Sequence, residues 1–344
     1  SCAKVESFGF PAVPCGLDGD VRPPLFLERA AHMPELPPRH RRAVMLPVMF
    51  GEVAAPVMRE DLVEVFDDFG PQLVVHDFAE LAAAPMATAR GIASVSVGFS
   101  GAVSDALQAA LEDSVAPVWE REGLSVCAAG ISGDLFLHPF PAALDTPRAD
   151  GPSAPMRPLS FDGAPSASSP GWISTFGAER LGVYVTFGTE VGARAPWTAI
   201  LEALADLDVD VVATVGGRLD PASLGPLAAN TRVERYVPQS FILDRSTVVI
   251  SHGGAGTLIG AAAAGKVQLC VPIAADQWDN ADLLASANAG VVLEPEGRDA
   301  DTIRQSVQSL LADLAKHASA ERLKDEFDAM PHPAALAATI EDLA

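Results

Sequence analysis

The stretch Val248–Thr257 reads VVISHGGAGT, in which a buried-strand run passes directly into a glycine-rich turn and then into a helix. Backbone N–H groups at a helix N-terminus lack intrahelical partners, and the helix dipole adds positive potential there. Glycines let a phosphate approach the backbone closely, and ligands of open α/β sheets bind at the carboxyl ends of strands. The stretch therefore predicts an anion site; the alternative is a plain tight turn with a core histidine.

The residues after Arg180 alternate between strand and helix patterns. Runs rich in β-branched and aromatic residues predict strands at Leu181–Gly188, Asp210–Gly216, Thr231–Val237, Thr247–Ser251, Val267–Ile273 and Gly290–Leu293. Apolar residues at helical spacing predict helices at Trp197–Leu207, Gly256–Ala264, Trp278–Ala287, Asp301–Ala315 and Ala320–Met330. This alternation predicts a parallel sheet covered on both faces, which is a Rossmann-like, doubly wound α/β domain.

The first half shows a less regular pattern of the same kind. Strand patterns at Gln72–His76, Ala93–Phe99 and Asp134–His138 alternate with helical patterns at Phe78–Arg90 and Ser104–Gly123. Between the halves, residues 145–172 are dense in Pro, Gly, Ser and Ala, which is typical of a linker or an ordered surface loop. We therefore expect an N-terminal Rossmann-like domain over residues 1–150, a linker over 151–180, a C-terminal Rossmann-like domain over 181–332 and a last helix over 333–344.

Two further loops follow predicted strands of the second half. Arg235–Gln239 (RYVPQ) offers a flat ring at Tyr236 and an amide at Gln239. Asp276 and Gln277 come just after the strand that begins at Val267, and a carboxylate next to an amide can bind several sugar hydroxyls. Alternatively, Asp276 only caps the following helix. An aromatic ring, an anion turn and an Asp–Gln pair together suit a base, a diphosphate and a sugar.

Two other patterns imitate known sites. Gly260–Val267 (GAAAAGKV) misses a P-loop at its last position, where Val267 replaces the Ser or Thr that would hold magnesium. Its alanines favour a helix that ends at Gly265. The acidic run Asp206–Asp210 lies between a helix and the next strand, so we expect it at the amino edge of the sheet, opposite the ligand crevice.

Composition limits the possible partners. The 344 residues are 49% hydrophobic, which excludes wholesale disorder, and the net charge of −22 disfavours nucleic acid and anionic membranes as partners. No apolar stretch is long enough for a membrane span, and no signal peptide opens the chain. The scattered cysteines Cys2, Cys15, Cys127 and Cys270 have no metal or redox spacing, so we expect reduced thiols in a cytoplasmic protein.

The VPQ, HGGAGT and DQWDNA motifs, which begin at Val237, His252 and Asp276, together resemble the nucleotide-sugar signature of GT-B glycosyltransferases. The closest branch is the bacterial enzymes that glycosylate antibiotics and related natural products. The resemblance implies two Rossmann-like domains facing a cleft, with the last helix returning to the first domain. It also implies no cofactor and no metal, because the nucleotide-sugar donor is a co-substrate.

The resemblance assigns nucleotide-sugar binding by position. Tyr236, Val237 and Gln239 would lie at the base. The diphosphate would bind His252 and the turn residues Gly254, Ala255, Gly256 and Thr257, with Thr189 facing the phosphates. Arg218 would approach the nucleotide, and Asp276 and Gln277 would hold the donor sugar. Gly260 stands where plant members have a glutamate that binds both ribose hydroxyls, which is compatible with a dTDP-deoxysugar donor, although UDP and GDP remain open.

Asp77, in the strand-end stretch Leu73–Phe78 (LVVHDF), matches the aspartate of the family's catalytic dyad. In the family this aspartate orients a histidine that deprotonates the acceptor hydroxyl, which then attacks the anomeric carbon with inversion. That histidine follows a first strand, which the sequence from Ser1 onward does not contain. We expect such a segment to precede Ser1; the alternative is a protein that truly lacks it. His32, His40 and His76 do not have a spacing that makes them convincing substitutes.

The leading hypothesis is an inverting, metal-independent glycosyltransferase, a monomer or homodimer, that acts on an apolar natural-product acceptor. An accessory protein that binds a nucleotide sugar without a catalytic base is the second hypothesis, and a sugar-nucleotide epimerase is the third. An acceptor-gating loop, if present, is expected within Arg22–Val48, a stretch rich in Pro and Arg.

Overall fold

The structure is a computed structural model that describes residues 2–18, 23–31, 33–99, 104–126, 131–144, 151–160, 170–189 and 191–344. His32, Cys127 and residues 161–169 of the predicted linker lie outside these residues. The chain divides into two compact units. The first contains residues 1–138, 147–154 and 333–344, and the second contains residues 139–146 and 155–332.

The first unit contains a four-stranded sheet in the order β1–β2–β3–β4. Its strands are β1 (Leu73–Asp77), β2 (Ala93–Val97), β3 (Leu135–His138) and β4 (Ser153–Pro155). Its α-helices up to β4 are α1 (Cys2–Glu6), α2 (Pro24–Ala30), α3 (Arg41–Leu46), α4 (Ala55–Phe69), α5 (Ala83–Ala89) and α6 (Asp105–Arg121). β1 to β3 pair in parallel, and β1 lies at the sheet edge with Val75 57% exposed. The predicted strands of this half are confirmed.

Two segments of the first unit differ from their predicted extents. The helix expected over Phe78–Arg90 begins at Ala83, because the side chain of Glu80 accepts hydrogen bonds from the backbone N–H groups of Ala82 and Ala83. The stretch suggested for a gating loop is largely helical in its described part, with α2, α3 and 3₁₀ turns at Met33–Glu35 and Pro38–His40. A π-helical segment then joins α3 to α4.

The second unit is built on a six-stranded sheet in the order β7–β6–β5–β8–β9–β10. Its strands are β5 (Leu181–Thr186), β6 (Val209–Thr214), β7 (Thr231–Glu234), β8 (Val248–Ser251), β9 (Val267–Cys270) and β10 (Gly290–Val292). Its α-helices are α7 (Trp197–Ala205), α8 (Gln239–Leu243), α9 (Ala255–Ala263), α10 (Gln277–Ser286), α11 (Ala300–Ala312) and α12 (Leu314–Ala329). A last helix, α13 (Pro333–Glu341), groups with the first unit.

Every pair of neighbouring strands in this sheet is parallel, as predicted. β5 lies between β6 and β8. Strands β6 and β7 follow on one side of β5, and β8, β9 and β10 follow on the other, so the order in which strands are added reverses between β5 and β8. Side chains alternate along β5: Val183 and Val185 enter one apolar cluster, and Tyr184 enters another. Both faces are therefore buried, and the doubly wound α/β prediction is confirmed.

The segment predicted as a linker carries its own structure. Residues 153–155 form β4, and residues 155–160 belong to the second unit. Ile173 and Phe176, beside a 3₁₀ turn, are 3% and 4% exposed and enter the cluster around Tyr184. The linker was predicted from the high content of Pro, Gly and Ser. That content does not show that two apolar side chains of the segment pack into the core.

The structure also settles the two imitating patterns. α9 ends at Ala263, and Gly265 has a φ of +71° with Lys266 N–H bonded to the carbonyl of Ala261, so GAAAAGKV is a helix end and not a phosphate loop. The run Asp206–Asp210 joins the end of α7 to the start of β6, at the amino edge. Among the helices of the described residues, none combines the length and apolar character needed to cross a bilayer.

Candidate functional site

The glycine-rich turn after β8 forms the centre of the candidate site. Gly253 has a φ of +77°, and an added Cβ there would lie 2.9 Å from the carbonyl oxygen of Gln277. α9 begins after Gly254, and no side chain of the described residues caps its N-terminus. The N–H groups of its first turn, which includes Ala255, Gly256 and Thr257, therefore have no intrahelical partners and can bind an anion.

The imidazole of His252 lies against two glycines. A Cβ on Gly254 would lie 2.3 Å from Nε2 of the ring, and a Cβ on Gly188 would lie 3.2 Å from Cε1. The Phe187 ring lies 6.3 Å away, centroid to centroid. His252 Nδ1 is buried and makes no hydrogen bond within the described part of the chain. Burial lowers the pKa of His252 below its ordinary value of 6.5, and the carboxylate of Asp276 partly opposes this shift.

The turn after β5 lies next to the glycine-rich turn after β8, and the two turns form the walls of a crevice. Thr189 is exposed there, next to Gly188, whose φ is +63°. β5 and β8 are adjacent strands, so both turns lie at the carboxyl edge where the chain direction reverses. Open α/β sheets bind ligands at this position. Arg218 is exposed in the loop after β6.

A cavity of about 1110 Å³ extends from the turn after β5 along α9. Five predicted residues line it, namely Thr189, Tyr236, Val237, Gln239 and Gly256. Tyr236 is 66% exposed, so its ring face is accessible to a base, whereas Val237 is 3% exposed. Gly260 also lines the cavity, and nothing but Leu243 and Gln239 would lie within 4 Å of a Cβ placed on it.

Asp276 and Gln277 lie beside the glycine-rich turn without lining this cavity. Asp276 precedes α10, but its side chain does not cap the helix; instead it accepts a hydrogen bond of 2.9 Å from Asn280. The side-chain oxygen of Gln277 accepts from the backbone N–H groups of Ile273 and Ala274 at 2.7 and 2.8 Å. Only the NH₂ group of Gln277 therefore remains for a ligand, so its predicted role in holding the donor sugar is limited to donating hydrogen bonds.

Sequence reasoning missed Asn280 and Ala275. The fully buried Asn280 amide donates to the carbonyl of Gly253 at 3.2 Å and to Asp276, so it ties the glycine-rich turn to the acidic residue. Ala275 has a φ of +56°, which is uncommon for a residue with a Cβ and concentrates at functional sites. Asn280 belongs to the DQWDNA motif, and this was the one signal that could have identified it.

Asp77 ends β1 and is exposed, with Oδ1 accepting a 2.8 Å hydrogen bond from Ala79 N–H. His76 lies on the opposite side of the strand and is 7% exposed, so its ring is directed into the interior. His40 is exposed in a 3₁₀ turn. Neither histidine makes a hydrogen bond to the Asp77 carboxylate in the described structure.

No group of three or more His, Cys, Asp or Glu side chains within the described ranges is arranged to hold a metal ion. Metal independence nevertheless stays a prediction.

The chain is similar to known proteins in both sequence and structure. Residues 198–343 match the family described as "Erythromycin biosynthesis protein CIII-like, C-terminal domain". The tylactone mycaminosyltransferase of Streptomyces fradiae is 34% identical over 62% of this chain and 47% of its own length. The TDP-daunosamine transferase DnrS of Streptomyces peucetius is 32% identical over 68% of this chain and 55% of its own length. The chain thus spans about half the length of these curated relatives.

Solved structures show the same fold. The glycosyltransferase VinC, solved in complex with dTDP, superimposes with a TM-score of 0.76 and is 26% identical, covering 99% of this chain and 88% of that one. The predicted GT-B fold class is therefore confirmed.

Proposed function

We propose that this protein is an inverting glycosyltransferase with a dTDP-sugar donor. The premise is that residues 198–343 match the erythromycin biosynthesis protein CIII-like C-terminal family. The acceptor is a hydroxyl group of a natural product. The proposal rests on one observation, which is that three features occur together near the reversal point of the sheet. They are the uncapped N-terminus of α9, the His252 ring packed against two glycines and the accessible Tyr236 ring.

The leaving diphosphate is the group that this arrangement stabilises. In the proposed reaction the acceptor oxygen attacks the anomeric carbon, and negative charge develops on the diphosphate. The first-turn N–H groups of α9, its dipole and His252 would receive that charge without a metal. Exposed Thr189 would donate to the same phosphates from the facing turn.

Two groups have proposed roles in handling the acceptor proton and the donor sugar. Asp77 would orient the histidine base that the family places on the N-terminal segment. Asp276, held by Asn280, would accept hydrogen bonds from sugar hydroxyls. Relatives named as transferases of mycaminose and TDP-daunosamine support a deoxysugar donor. At Gly260 the side chains nearest to an added Cβ are Leu243 and Gln239 and not a carboxylate, which supports a 2′-deoxynucleotide such as dTDP as the carrier of that sugar.

Nucleotide binding is the first test of the proposal. We expect dTDP to raise the melting temperature of the chain, with a smaller shift for UDP and none for NAD. In Thr257→Val, which removes a hydroxyl that accepts from Gln239 at 3.0 Å in the first turn of α9, we expect the shift to fall by more than half. Thr88→Val removes the hydroxyl of an exposed threonine on α5, in the first unit, and is the matched control. Absence of any shift with dTDP, UDP or GDP would refute the proposed donor site.

The protonation of His252 gives a second prediction. Its pKa is lowered by burial in the free protein, whereas a bound diphosphate favours the charged ring and raises that pKa. Binding therefore takes up a proton between the two pKa values, and affinity for dTDP-glucose is expected to rise as pH falls from the raised pKa of the complex toward the lowered pKa of the free protein, by up to tenfold per unit. Titration calorimetry in buffers of different ionisation enthalpy measures this uptake.

The lowered pKa of His252 also affects the stability of the fold, which is expected to fall at low pH whereas ligand affinity rises. Because the unfolded chain binds this proton more readily, the contribution of His252 to stability is present above pH 6.5 and is lost as pH falls below it. His252→Asn should abolish the proton uptake, and His317→Asn on α12 should leave it unchanged. Equal uptake in native protein and His252→Asn would contradict the assignment.

A further inference from the structure

One buried amide on α10 bonds to both ends of the candidate donor site. Asn280 is fully buried, and its side-chain nitrogen carries two protons. One proton is donated to the carbonyl oxygen of Gly253 at 3.2 Å, and the other to Oδ2 of Asp276 at 2.9 Å. Gly253 lies in the turn proposed to bind the diphosphate, and Asp276 is proposed to bind the sugar. The two proposed subsites therefore share one hydrogen-bond donor.

The bond to Gly253 sets the direction of an N–H group in the glycine-rich turn. The carbonyl of Gly253 and the N–H of Gly254 belong to one planar trans peptide, so they point in opposite directions. Because Asn280 holds the carbonyl, the N–H of Gly254 points away from the Asn280 amide. Within the described residues this N–H makes no hydrogen bond, so it is available to an anion.

The bond to Asp276 distinguishes the two oxygens of its carboxylate. Oδ2 accepts from Asn280, and Oδ1 makes no hydrogen bond within the described part of the chain. The backbone N–H of Asn280 also donates to the carbonyl of Asp276 at 3.0 Å, so the main chain and the side chain of Asp276 are both tied to α10. Hydrogen bonds to a carboxylate are strong and directional, so this one limits rotation of the carboxylate. Oδ1 therefore remains for a sugar hydroxyl.

We propose that Asn280 is a positioning residue of the donor site. It directs the N–H of Gly254 to the diphosphate and Oδ1 of Asp276 to the sugar, and does not touch the ligand itself. The inference rests on the proposed dTDP-sugar site. Because both groups are arranged before the ligand arrives, binding does not have to order them. The loss of Asn280 should therefore reduce what the sugar adds to affinity.

Asn230 provides a matched control. Its side-chain nitrogen also donates two hydrogen bonds, to the carbonyl oxygens of Leu204 at 3.0 Å and Leu207 at 3.2 Å. It directly precedes β7, so it lies at the amino edge of the sheet, opposite the candidate site. Asn230→Leu and Asn280→Leu each remove two donated hydrogen bonds, but only the second removes them from the donor site.

Calorimetric titrations with dTDP and with dTDP-glucose test the proposal, because the ratio of the two dissociation constants measures what the sugar adds. We expect the native chain to bind dTDP-glucose about tenfold more tightly than dTDP, since a sugar hydroxyl bonds to a charged group. Asn280→Leu and Asp276→Ala should each reduce this ratio to about two, and the double variant should reduce it no further, because the effect of Asn280 on the sugar passes through Asp276. Asn230→Leu should keep the native ratio.

The possible failures of this experiment are distinct. A native ratio retained in Asn280→Leu overturns the proposal. A native chain that binds dTDP but gains nothing from the sugar also overturns it, because Asp276 then holds no sugar. Binding of neither ligand refutes the proposed donor site itself.

A second readout needs no ligand and keeps Asn280 in place. The chain contains three asparagines, Asn230, Asn280 and Asn288, so labelling with ¹⁵N-asparagine gives three side-chain NH₂ signals. We expect Asp276→Ala to shift the Asn280 signal in the free protein and to leave the other two in place. An Asn280 signal that does not move overturns the proposal even if dTDP binds and even if Asn280→Leu does not fold.

Discussion

Replacing Gly254 with alanine is expected to reduce dTDP affinity by about 100-fold, equivalent to about 2.7 kcal/mol. The new Cβ would lie 2.3 Å from His252 Nε2, 2.9 Å from Cε1 and 3.1 Å from Cδ2, so the ring and the turn backbone cannot both stay in place. The ring must then leave its pocket, or the start of α9 must shift. Either change moves the groups that would bind the diphosphate, and titration calorimetry with dTDP measures the loss.

Two further variants make this result specific. Gly171→Ala adds a methyl group where nothing lies within 4 Å, and it should bind dTDP like the native chain. The double variant His252→Ala/Gly254→Ala removes the ring that clashes, so we expect its melting temperature to recover while its dTDP binding stays weak. Binding by Gly254→Ala within threefold of native would show that the packing of His252 against Gly254 does not shape the site.

The largest effect on stability is expected from Leu204→Ala, at about 2–5 kcal/mol in the free energy of unfolding. Leu204 on α7 is fully buried in the same cluster as Ile303 and Val307 of α11, so the deletion leaves a cavity between helix and sheet. Denaturant titration followed by circular dichroism measures the change.

Leu314→Ala is the matched control, because it is the same substitution at a side chain that is 81% exposed. It should change stability by less than about 0.5 kcal/mol. At temperatures below its own midpoint, Leu204→Ala should still bind dTDP, because Leu204 does not line the cavity. Equal destabilisation by the two variants would contradict the placement of α7 over the core.

The sequence predicted those parts of the molecule that depend on local pattern. Buried parallel strands are continuous apolar runs, so β5 and β8 were found within two residues of their observed ends. The turn at His252 was found because Gly-rich connections between a strand and a helix have few alternatives. The strand order, which the structure shows, places that turn at the reversal point of the sheet.

What could not be predicted depends on contacts between distant residues. Nothing near Asn280 in sequence indicates that its amide bridges Gly253 and Asp276, and the positive φ of Ala275 has no signal in an alanine. Tyr184 looked like any apolar strand residue, because its hydroxyl partner Thr214 lies on another strand. Such partners exist only once the sheet has formed.

The pairing of β5 with β8 has a kinetic consequence. Val183 lies opposite Val248, and the chain between them builds β6, β7, α7 and α8 before it returns. Closing so long a loop costs entropy before any contact forms, so we expect the two turns of the crevice to come together late in folding. A nascent chain halted before Val248 would carry Thr189 but no opposing turn, and would have no affinity for the nucleotide. We accordingly expect the backbone amides of β5 and β8 to exchange with the same opening free energy, because the binding site forms in the same cooperative step as the fold.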